Sequence, residues 1–174
     1  DALDNLVESQ IAGGVSALIA AGTTGEPSTM TWDEHIEVIR FVAERAKDRA
    51  CVIAGTGSNC TREVIHAANV VKDFGVAAQL VVTPYYNKSN EEGIYQHFKT
   101  VADAVDIPCI LYNIPAAAAA DPLHHVAAAA SDIGQQVGDH RRVAVFERMQ
   151  HDAAALVGFQ ITELISFPER FPDR

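Results

Sequence analysis

Four short apolar runs alternate with amphipathic stretches between residues 15 and 115, and this alternation limits the possible folds more than any other feature. The runs read VSALIAAG, CVIAGTGS, AAQLVVTP and PCILYNIP. Short continuous apolar runs are typical of strands buried on both faces of a sheet. Apolar residues at helical spacing fill the segments between them. The alternation therefore predicts right-handed βαβ units around a parallel sheet, an α/β fold.

Polar caps and glycines mark where the helices are expected to begin and end. A helix over residues 3–11 opens the chain and stops at Gly13. The expected start signals of the later helices are, in chain order, Thr31 with Glu34, Thr61, and Ser89 with Glu92. Gly75 is expected to close the helix that Thr61 begins.

The sequence changes character after Pro115. Residues 116–174 are rich in Ala and His and contain no lysine. We therefore divide the chain into a sheet-forming domain, residues 1–115, and a divergent segment, residues 116–174, expected to be helical or irregular. In that segment Pro122 is expected to start one helix. Another is expected to place Val143, Phe146 and Met149 on its inner face.

Charge and hydropathy exclude several classes of partner. The formal net charge is −10 and no basic run is present, which argues against binding to nucleic acid or to an anionic membrane. No apolar stretch approaches the roughly 20 residues that span a bilayer, and the opening DALDNLVESQ lacks the features of a signal peptide. The expected location is the cytoplasm.

Neither the cysteines nor the histidines form a recognisable metal site. The three cysteines, Cys51, Cys60 and Cys109, show no CxxC spacing, so we expect free thiols that are buried or partly buried. The spacings of the late histidines match no standard site either; these are His124, His125, His140 and His151. We expect no metal.

Polar and glycine-containing segments follow each of the four predicted strands. They read GTTGE from Gly22, GTGSN from Gly55, TPYY from Thr83, and YN from Tyr112. Because parallel strands place their carboxyl ends at one edge of a sheet, these groups are expected to converge on a single cleft. Threonine and tyrosine hydroxyls there can bind a carboxylate or relay protons.

Together these motifs resemble the dihydrodipicolinate synthase family, within the Schiff-base lyases that include N-acetylneuraminate lyase. GTTGE, AGTGSN, TPYYNK followed by GIYQHF, and LYNIP carry the resemblance, which covers about residues 3–115. It implies a (β/α)8 barrel, of which this chain would supply about four βα units as a partial barrel. It also implies condensation of pyruvate with aspartate semialdehyde for lysine biosynthesis, through an imine on a lysine and with no cofactor or metal.

The resemblance assigns roles to individual residues at the strand ends. It implies that Thr23 and Gly25 hold the pyruvate carboxylate. Thr24, Tyr86 and Tyr112 would form a proton relay, with Tyr86 reaching into the site of a neighbouring subunit. A homo-oligomer, either a dimer or a tetramer, is therefore expected.

A second set of residues matches the effector site of family members that lysine inhibits. These residues are Ser28, Trp32, His35, Asn59, Glu63 and Tyr85. A carboxylate, an amide and an aromatic wall suit a diamino acid. The alternative is that Trp32 and His35 are first-turn residues that pack on a neighbour, and the sequence leaves both interpretations open.

The chain departs from the family pattern at two places. The positions after Pro115 carry three alanines from Ala116, where the family has Gly-Arg-Thr. The imine lysine is expected about 28 residues after Tyr112, yet no lysine follows Lys99. Arginine cannot replace it, because its guanidinium stays protonated. Two alternatives to the synthase therefore stay open: a sister pyruvate-dependent aldolase, and a non-catalytic partial barrel that associates with a partner.

Overall fold

The computed structural model of the chain describes residues 2–113 and 143–147. Its helices are α1 (Ala2–Ala12), α2 (Trp32–Ala46), α3 (Thr61–Val71) and α4 (Glu91–Ala104). Its strands are β1 (Ala17–Ala20), β2 (Cys51–Gly55), β3 (Ala78–Val82), β4 (Cys109–Asn113) and β5 (Val143–Glu147). The strands form one sheet in the order β1-β2-β3-β4-β5, and every neighbouring pair is parallel. The predicted parallel α/β architecture is confirmed.

Alternate strand residues pack on opposite faces of this sheet. One face contacts the helices: Ala54 of β2 packs with Ile39 of α2, and Leu111 of β4 packs with Phe98 of α4. The other face carries a separate apolar cluster that includes Ile53, Leu80 and Tyr112. A barrel wall has the same division, with helices outside and side chains inside.

Strand β1 is partly exposed, although it was expected to be buried on both faces of the sheet. Ile19 is 44% exposed, although the prediction treated all four early strands alike. The physical reason is that β1 pairs only with β2 among the described residues, so it lies at the edge of the sheet. Strands β2, β3 and β4 have neighbours on both sides, and most of their residues are buried.

The capping predictions had mixed outcomes. The Thr31–Glu34 capping box is present, with the Thr31 N–H donating to the Glu34 carboxylate over 2.8 Å. The cap predicted at Thr61 is wrong, because Cys60 occupies that position and Thr61 is the first residue of α3. The Ser89–Glu92 box is also wrong: α4 is capped by Asn90, whose Oδ1 accepts from the Gly93 N–H over 2.9 Å.

The helix predicted through Val143 and Phe146 is wrong where the structure describes it. Residues 143–147 form β5, paired in register with β4 from Cys109 to Asn113. The ladder with β4 supplies hydrogen bonds that local periodicity does not reveal. Pro122, Met149 and the four late histidines lie outside the described residues, and the boundary at residues 115 and 116 stays a prediction.

The cysteines are free, as expected. Cys51 and Cys60 are partly buried and Cys109 is buried. Burial raises the pKa of the Cys109 thiol to about 12, so it stays protonated and unreactive near neutral pH.

Candidate functional site

The segments that follow β1, β2, β3 and β4 all lie at one edge of the sheet. This follows from the parallel pairing of every strand, which directs each carboxyl end the same way. The predicted site residues Thr23, Thr24, Gly25 and Tyr112 are therefore at this shared edge, with Tyr86 in the loop that leaves β3. In α/β barrels this edge is the one that binds ligands. We call it the carboxyl edge.

A single 3₁₀ turn, Thr23–Gly25, follows β1 and presents two hydroxyls. The Gly25 N–H donates to the carbonyl oxygen of Gly22 over 2.7 Å, which closes the turn. Thr23 and Thr24 are exposed, and their side chains donate no hydrogen bond within residues 2–113. Both hydroxyls are thus available to a ligand, whereas the Gly25 N–H is already used.

Two glycines at the end of β2 and just beyond it allow main chains to approach closely at the carboxyl edge. A Cβ on Gly55 would lie 2.3 Å from the carbonyl oxygen of Ala21. A Cβ on Gly57 would lie 2.6 Å from the main-chain nitrogen of Val82. These glycines bring the ends of β1, β2 and β3 together, and they are needed for packing whatever the ligand.

Tyr112 is the last but one residue of β4 and is only 8% exposed. Its side chain belongs to the apolar cluster on the helix-free face with Leu80 and Ile53. The phenol thus belongs to the helix-free face of the sheet, which in (β/α)8 barrels is the inner side of the wall.

Thr24 and Tyr112 share an edge, but two strands lie between β1 and β4. At roughly 4.8 Å per strand the separation is about 14 Å across a flat sheet. A barrel wall curves towards its helix-free interior, which shortens the direct path.

Tyr86 is placed differently from the other relay residues. It is 90% exposed and its main chain is left-handed, with φ of 69°, and Lys88 in the same loop has φ of 50°. Non-glycine residues in this conformation cost free energy and persist where the surrounding structure imposes them. The Tyr86 ring is therefore open to solvent on a loop whose main chain adopts an uncommon conformation.

Three of the predicted effector residues make contacts near the starts of α2 and α3. Trp32 packs edge-on against His35, with ring centroids 5.3 Å apart, and it stacks on His66 at 6.3 Å. Glu63 accepts a hydrogen bond of 2.6 Å from the Ser58 hydroxyl.

Asn59, another predicted effector residue, binds the loop that carries Tyr86. Its Nδ2 donates to Oδ1 of Asn87 over 3.2 Å. Tyr85 in that loop is 40% exposed, and Ser28 is exposed in a separate 3₁₀ turn, Pro27–Thr29.

No lysine lies on the strand next to Tyr112. Phe146 is its register partner, and β5 reads Val-Ala-Val-Phe-Glu. Lys99 lies on α4, and its amine donates to the Asp103 carboxylate over 2.6 Å. That hydrogen bond raises the pKa of the Lys99 amine, which favours the protonated form over a nucleophile.

Across residues 2–113 and β5, no group of three His, Cys, Asp or Glu side chains is placed to hold a metal ion. Over the same residues, none of the helices has the length and apolar character that crossing a bilayer requires.

Two buried polar residues at the carboxyl edge were expected in the cleft but received no individual role from the sequence. Thr83 and Asn113 lie within the recognised TPYYNK and LYNIP motifs, and both are buried. Thr83 donates to Asn113 Oδ1 over 3.3 Å across a sequence separation of 30 residues. The available signal was their position at the ends of two predicted strands, which does not show that the two side chains bond to each other. His66, which stacks on Trp32, was also missed because nothing in the sequence pairs the two.

Comparison with known sequences gives a consistent result. The sequence profile of the dihydrodipicolinate synthetase family matches residues 1–135, so the similarity continues past residue 115. The 4-hydroxy-tetrahydrodipicolinate synthase of Trichlorobacter lovleyi is 55% identical over 113 residues. That alignment covers 65% of this chain and 39% of the relative. The chain thus spans about two fifths of the length of such relatives.

Solved structures agree with the sequence comparison. The chloride-inhibited dihydrodipicolinate synthase of Acinetobacter baumannii, solved with pyruvate, superposes with a TM-score of 0.72 at 36% identity, covering 83% of this chain and 56% of that chain. The enzyme of Cyanidioschyzon merolae with lysine bound gives 0.73 at 31% identity, covering 83% and 55%.

Proposed function

Because the chain belongs to the dihydrodipicolinate synthetase family, whose fold is the (β/α)8 barrel, we propose that its carboxyl edge is part of a 4-hydroxy-tetrahydrodipicolinate synthase site. The reaction of such a site condenses pyruvate with aspartate semialdehyde. The observation that carries the proposal is the position of the Thr23–Gly25 turn and Tyr112 at one edge of a single parallel sheet.

Pyruvate binding is assigned to the turn after β1. Thr23 and Gly25 hold the carboxylate in this proposal. An exposed hydroxyl on Thr23 can donate to the anion, and Gly25 leaves room for it, since a Cβ there would meet nothing within 4 Å. The Gly25 N–H takes no part, because it already donates to Gly22.

Proton transfer is assigned to Thr24, Tyr112 and Tyr86. Imine and enamine chemistry moves protons on and off carbinolamine and aldehyde oxygens, and hydroxyl groups can carry them. Tyr112 supplies a phenol inside the wall. Tyr86, exposed and held in a strained loop, is suited to reach a second subunit, so the proposal includes a homo-oligomer.

The covalent step is not available to this chain at the family position. Residues 100–174 contain no lysine, and β5 beside Tyr112 contains none. The proposal is therefore specific: the chain binds pyruvate reversibly and forms no imine with it.

Pyruvate binding and trapping by borohydride test this proposal together. We expect ligand-observed NMR to detect pyruvate binding, and the intact mass to stay unchanged after reduction with borohydride. Thr23→Val is expected to weaken binding about tenfold, the effect of a lost charge-assisted hydrogen bond, while Thr24→Val leaves it unchanged.

Each result has a defined consequence. The reverse pattern in the two threonine variants would exchange the two assignments. The absence of binding at millimolar pyruvate would reject the proposed site. A mass gain of one reduced pyruvate adduct would show that the chain has an amine that forms the imine.

A second candidate function is a non-catalytic partial barrel that associates with another chain. The observation that favours it is the edge position of β1 together with the exposure of Ile19. Among the described residues no strand pairs with the outer side of β1, and the main-chain groups of such an edge can pair with a strand of another chain. Failure to bind pyruvate combined with a stable assembly in light scattering would favour this function over the first.

The same family relationship leads us to propose lysine as an effector. Trp32 and Tyr85 offer exposed aromatic surface, and the Glu63 carboxylate lies near the start of α3. An ammonium group is attracted both to the face of an indole and to a carboxylate. Ser28, His35 and Asn59 complete the proposed set.

A further inference from the structure

The carbonyl oxygen of Tyr112 accepts two hydrogen bonds from one residue, Thr83. The Thr83 N–H donates over 2.8 Å and the Thr83 hydroxyl over 3.1 Å. Thr83 directly follows Val82, which is the last residue of β3 and the register partner of Tyr112. The hydroxyl thus adds a side-chain bond where the main-chain ladder between β3 and β4 comes to its end.

The surroundings strengthen these bonds. Thr83 is 2% exposed and Asn113 is fully buried, so water does not compete for the hydroxyl. The single hydroxyl proton is shared between the Tyr112 carbonyl and Oδ1 of Asn113, which lies 3.3 Å away. Thr83 therefore holds two consecutive residues at the end of β4.

These bonds act on the main chain of Tyr112 rather than on its phenol. Successive strand residues point to opposite faces, so Tyr112 and Asn113 project from different sides of the sheet. The Tyr112 ring belongs to the helix-free cluster with Leu80, whereas Leu111 packs towards the helices. A hydrogen bond that fixes the Tyr112 carbonyl group fixes the main chain at this residue. It therefore also fixes the position from which the Tyr112 side chain extends.

We propose that Thr83 is a positioning residue for Tyr112. Its hydroxyl keeps the end of β4 against β3 and holds the Tyr112 ring within the wall at the carboxyl edge. The importance of that position rests on the proposed function, which gives Tyr112 a place in the proton relay. The positioning itself is a property of the sheet and can be measured without a reaction.

The test measures how fast tetranitromethane nitrates Tyr112, followed by peptide mass spectrometry in the full chain. Thr83→Val keeps the shape of the side chain and removes the hydroxyl. We expect Tyr112 to react about fivefold faster, the change that one lost hydrogen bond gives to a local opening equilibrium. Tyr86, which is 90% exposed, serves as the internal reference and is expected to react at an unchanged rate.

A matched control separates positioning from general loosening of the sheet. Thr56 is 1% exposed, and its hydroxyl donates to Gln79 Oε1 over 2.8 Å between β2 and β3. Thr56→Val therefore removes a buried hydroxyl bond of the same kind, away from Tyr112. We expect Thr56→Val to leave the nitration rate of Tyr112 unchanged. Thr83→Ser keeps the hydroxyl, so in that variant Tyr112 is expected to react at the wild-type rate.

Three results would overturn the proposal: an unchanged Tyr112 rate in Thr83→Val, an equal increase in Thr56→Val, or no recovery in Thr83→Ser. Thr83→Ala removes the same hydroxyl and provides the test if the valine variant does not fold. Nitration requires neither pyruvate nor turnover, so a failure of pyruvate binding would reject the proposed function and leave this result standing.

Discussion

The Nε2–H of His35, in the first turn of α2, donates a hydrogen bond of 2.7 Å to the carbonyl oxygen of Gly55, the last residue of β2. A carbonyl oxygen only accepts, so Nε2 carries a proton in this bond and Nδ1 is the ring nitrogen that it leaves over. His35 is 6% exposed, which makes this bond an internal tie between a helix start and the carboxyl edge. An effector could use only Nδ1 or the face of this ring.

Gly55→Ala is expected to destabilise the protein strongly. The new Cβ would lie 2.3 Å from the carbonyl oxygen of Ala21 and 2.7 Å from its carbonyl carbon, and both are main-chain atoms. Relief requires β1 and β2 to separate, so we expect a loss of about 3 kcal/mol in the free energy of unfolding. Urea denaturation followed by circular dichroism measures it.

Gly25→Ala is the matched control for that substitution. A Cβ on Gly25 would meet nothing within 4 Å, and we expect a change below about 0.5 kcal/mol. Equal stability losses in the two variants would contradict the close-approach explanation of Gly55.

Stability is expected to fall as the pH is lowered because of His97. This side chain is 4% exposed, and burial lowers its pKa to about 4. Between about pH 6.5 and 4 the unfolded chain binds a proton at this residue and the folded chain does not, so acid favours unfolding. The loss over this range is about 3 kcal/mol and is complete below about pH 4. Urea titrations at several pH values measure it.

His97→Asn isolates that effect from the carboxylates that titrate in the same range. The amide oxygen of the new side chain can accept from Thr61, whose hydroxyl lies 2.9 Å from Nδ1 of His97, and an amide does not titrate. Between pH 7 and 4 the wild-type protein is expected to lose about 3 kcal/mol more free energy of unfolding than the variant loses. A constant difference over that range would show that His97 does not titrate abnormally.

Local signals in the sequence were sufficient to predict a hydrogen bond where its two partners are close together in the sequence. The Thr31–Glu34 capping box is an example, because both partners lie within one turn. Thr61 failed as a cap because its hydroxyl pairs with His97, 36 residues away. The prediction for residues 143–147 was wrong for a similar reason. Five residues do not distinguish a helix from a strand, and the pairing with β4 determines that this segment is a strand.

The candidate site was predictable to the extent that topology determines it. Parallel strands place Thr23, Thr24 and Tyr112 at one edge whatever the side-chain details, so that grouping follows from the strand pattern. The bond from Thr83 to Tyr112 was not predictable, because it depends on the register of β3 with β4. Register is set by packing between strands, which a single sequence does not display.

Lysine is expected to change the fluorescence of Trp32 if the proposed effector site binds it. Trp32 is the only tryptophan in the chain, so the signal has one source. It is 37% exposed and touches His35 and His66, which leaves part of the indole face open to an ammonium group. A saturable change at millimolar lysine is the expected result of a fluorescence titration.

Glu63→Gln provides the specific test of that site. The variant removes the carboxylate charge and keeps an acceptor for the Ser58 hydroxyl, so the loop after β2 is expected to stay in place. We expect lysine to bind about fivefold more weakly, because an exposed carboxylate pairs only modestly with an ammonium group. An unchanged affinity, or an equal response to norleucine, would reject recognition of the lysine side-chain amine.

Phe146→Lys is expected to give the chain a pyruvate imine. Phe146 is the register partner of Tyr112 in the ladder between β4 and β5. A lysine at this position would place an amine in the β5 residue paired with Tyr112, whose phenol belongs to the proposed relay. Borohydride in the presence of pyruvate should then add the mass of one reduced adduct. Val145→Lys is the control, because Val145 pairs with Leu111 instead of Tyr112, and it should stay unmodified. Equal labelling of both variants would mean that position on the strand does not govern reactivity.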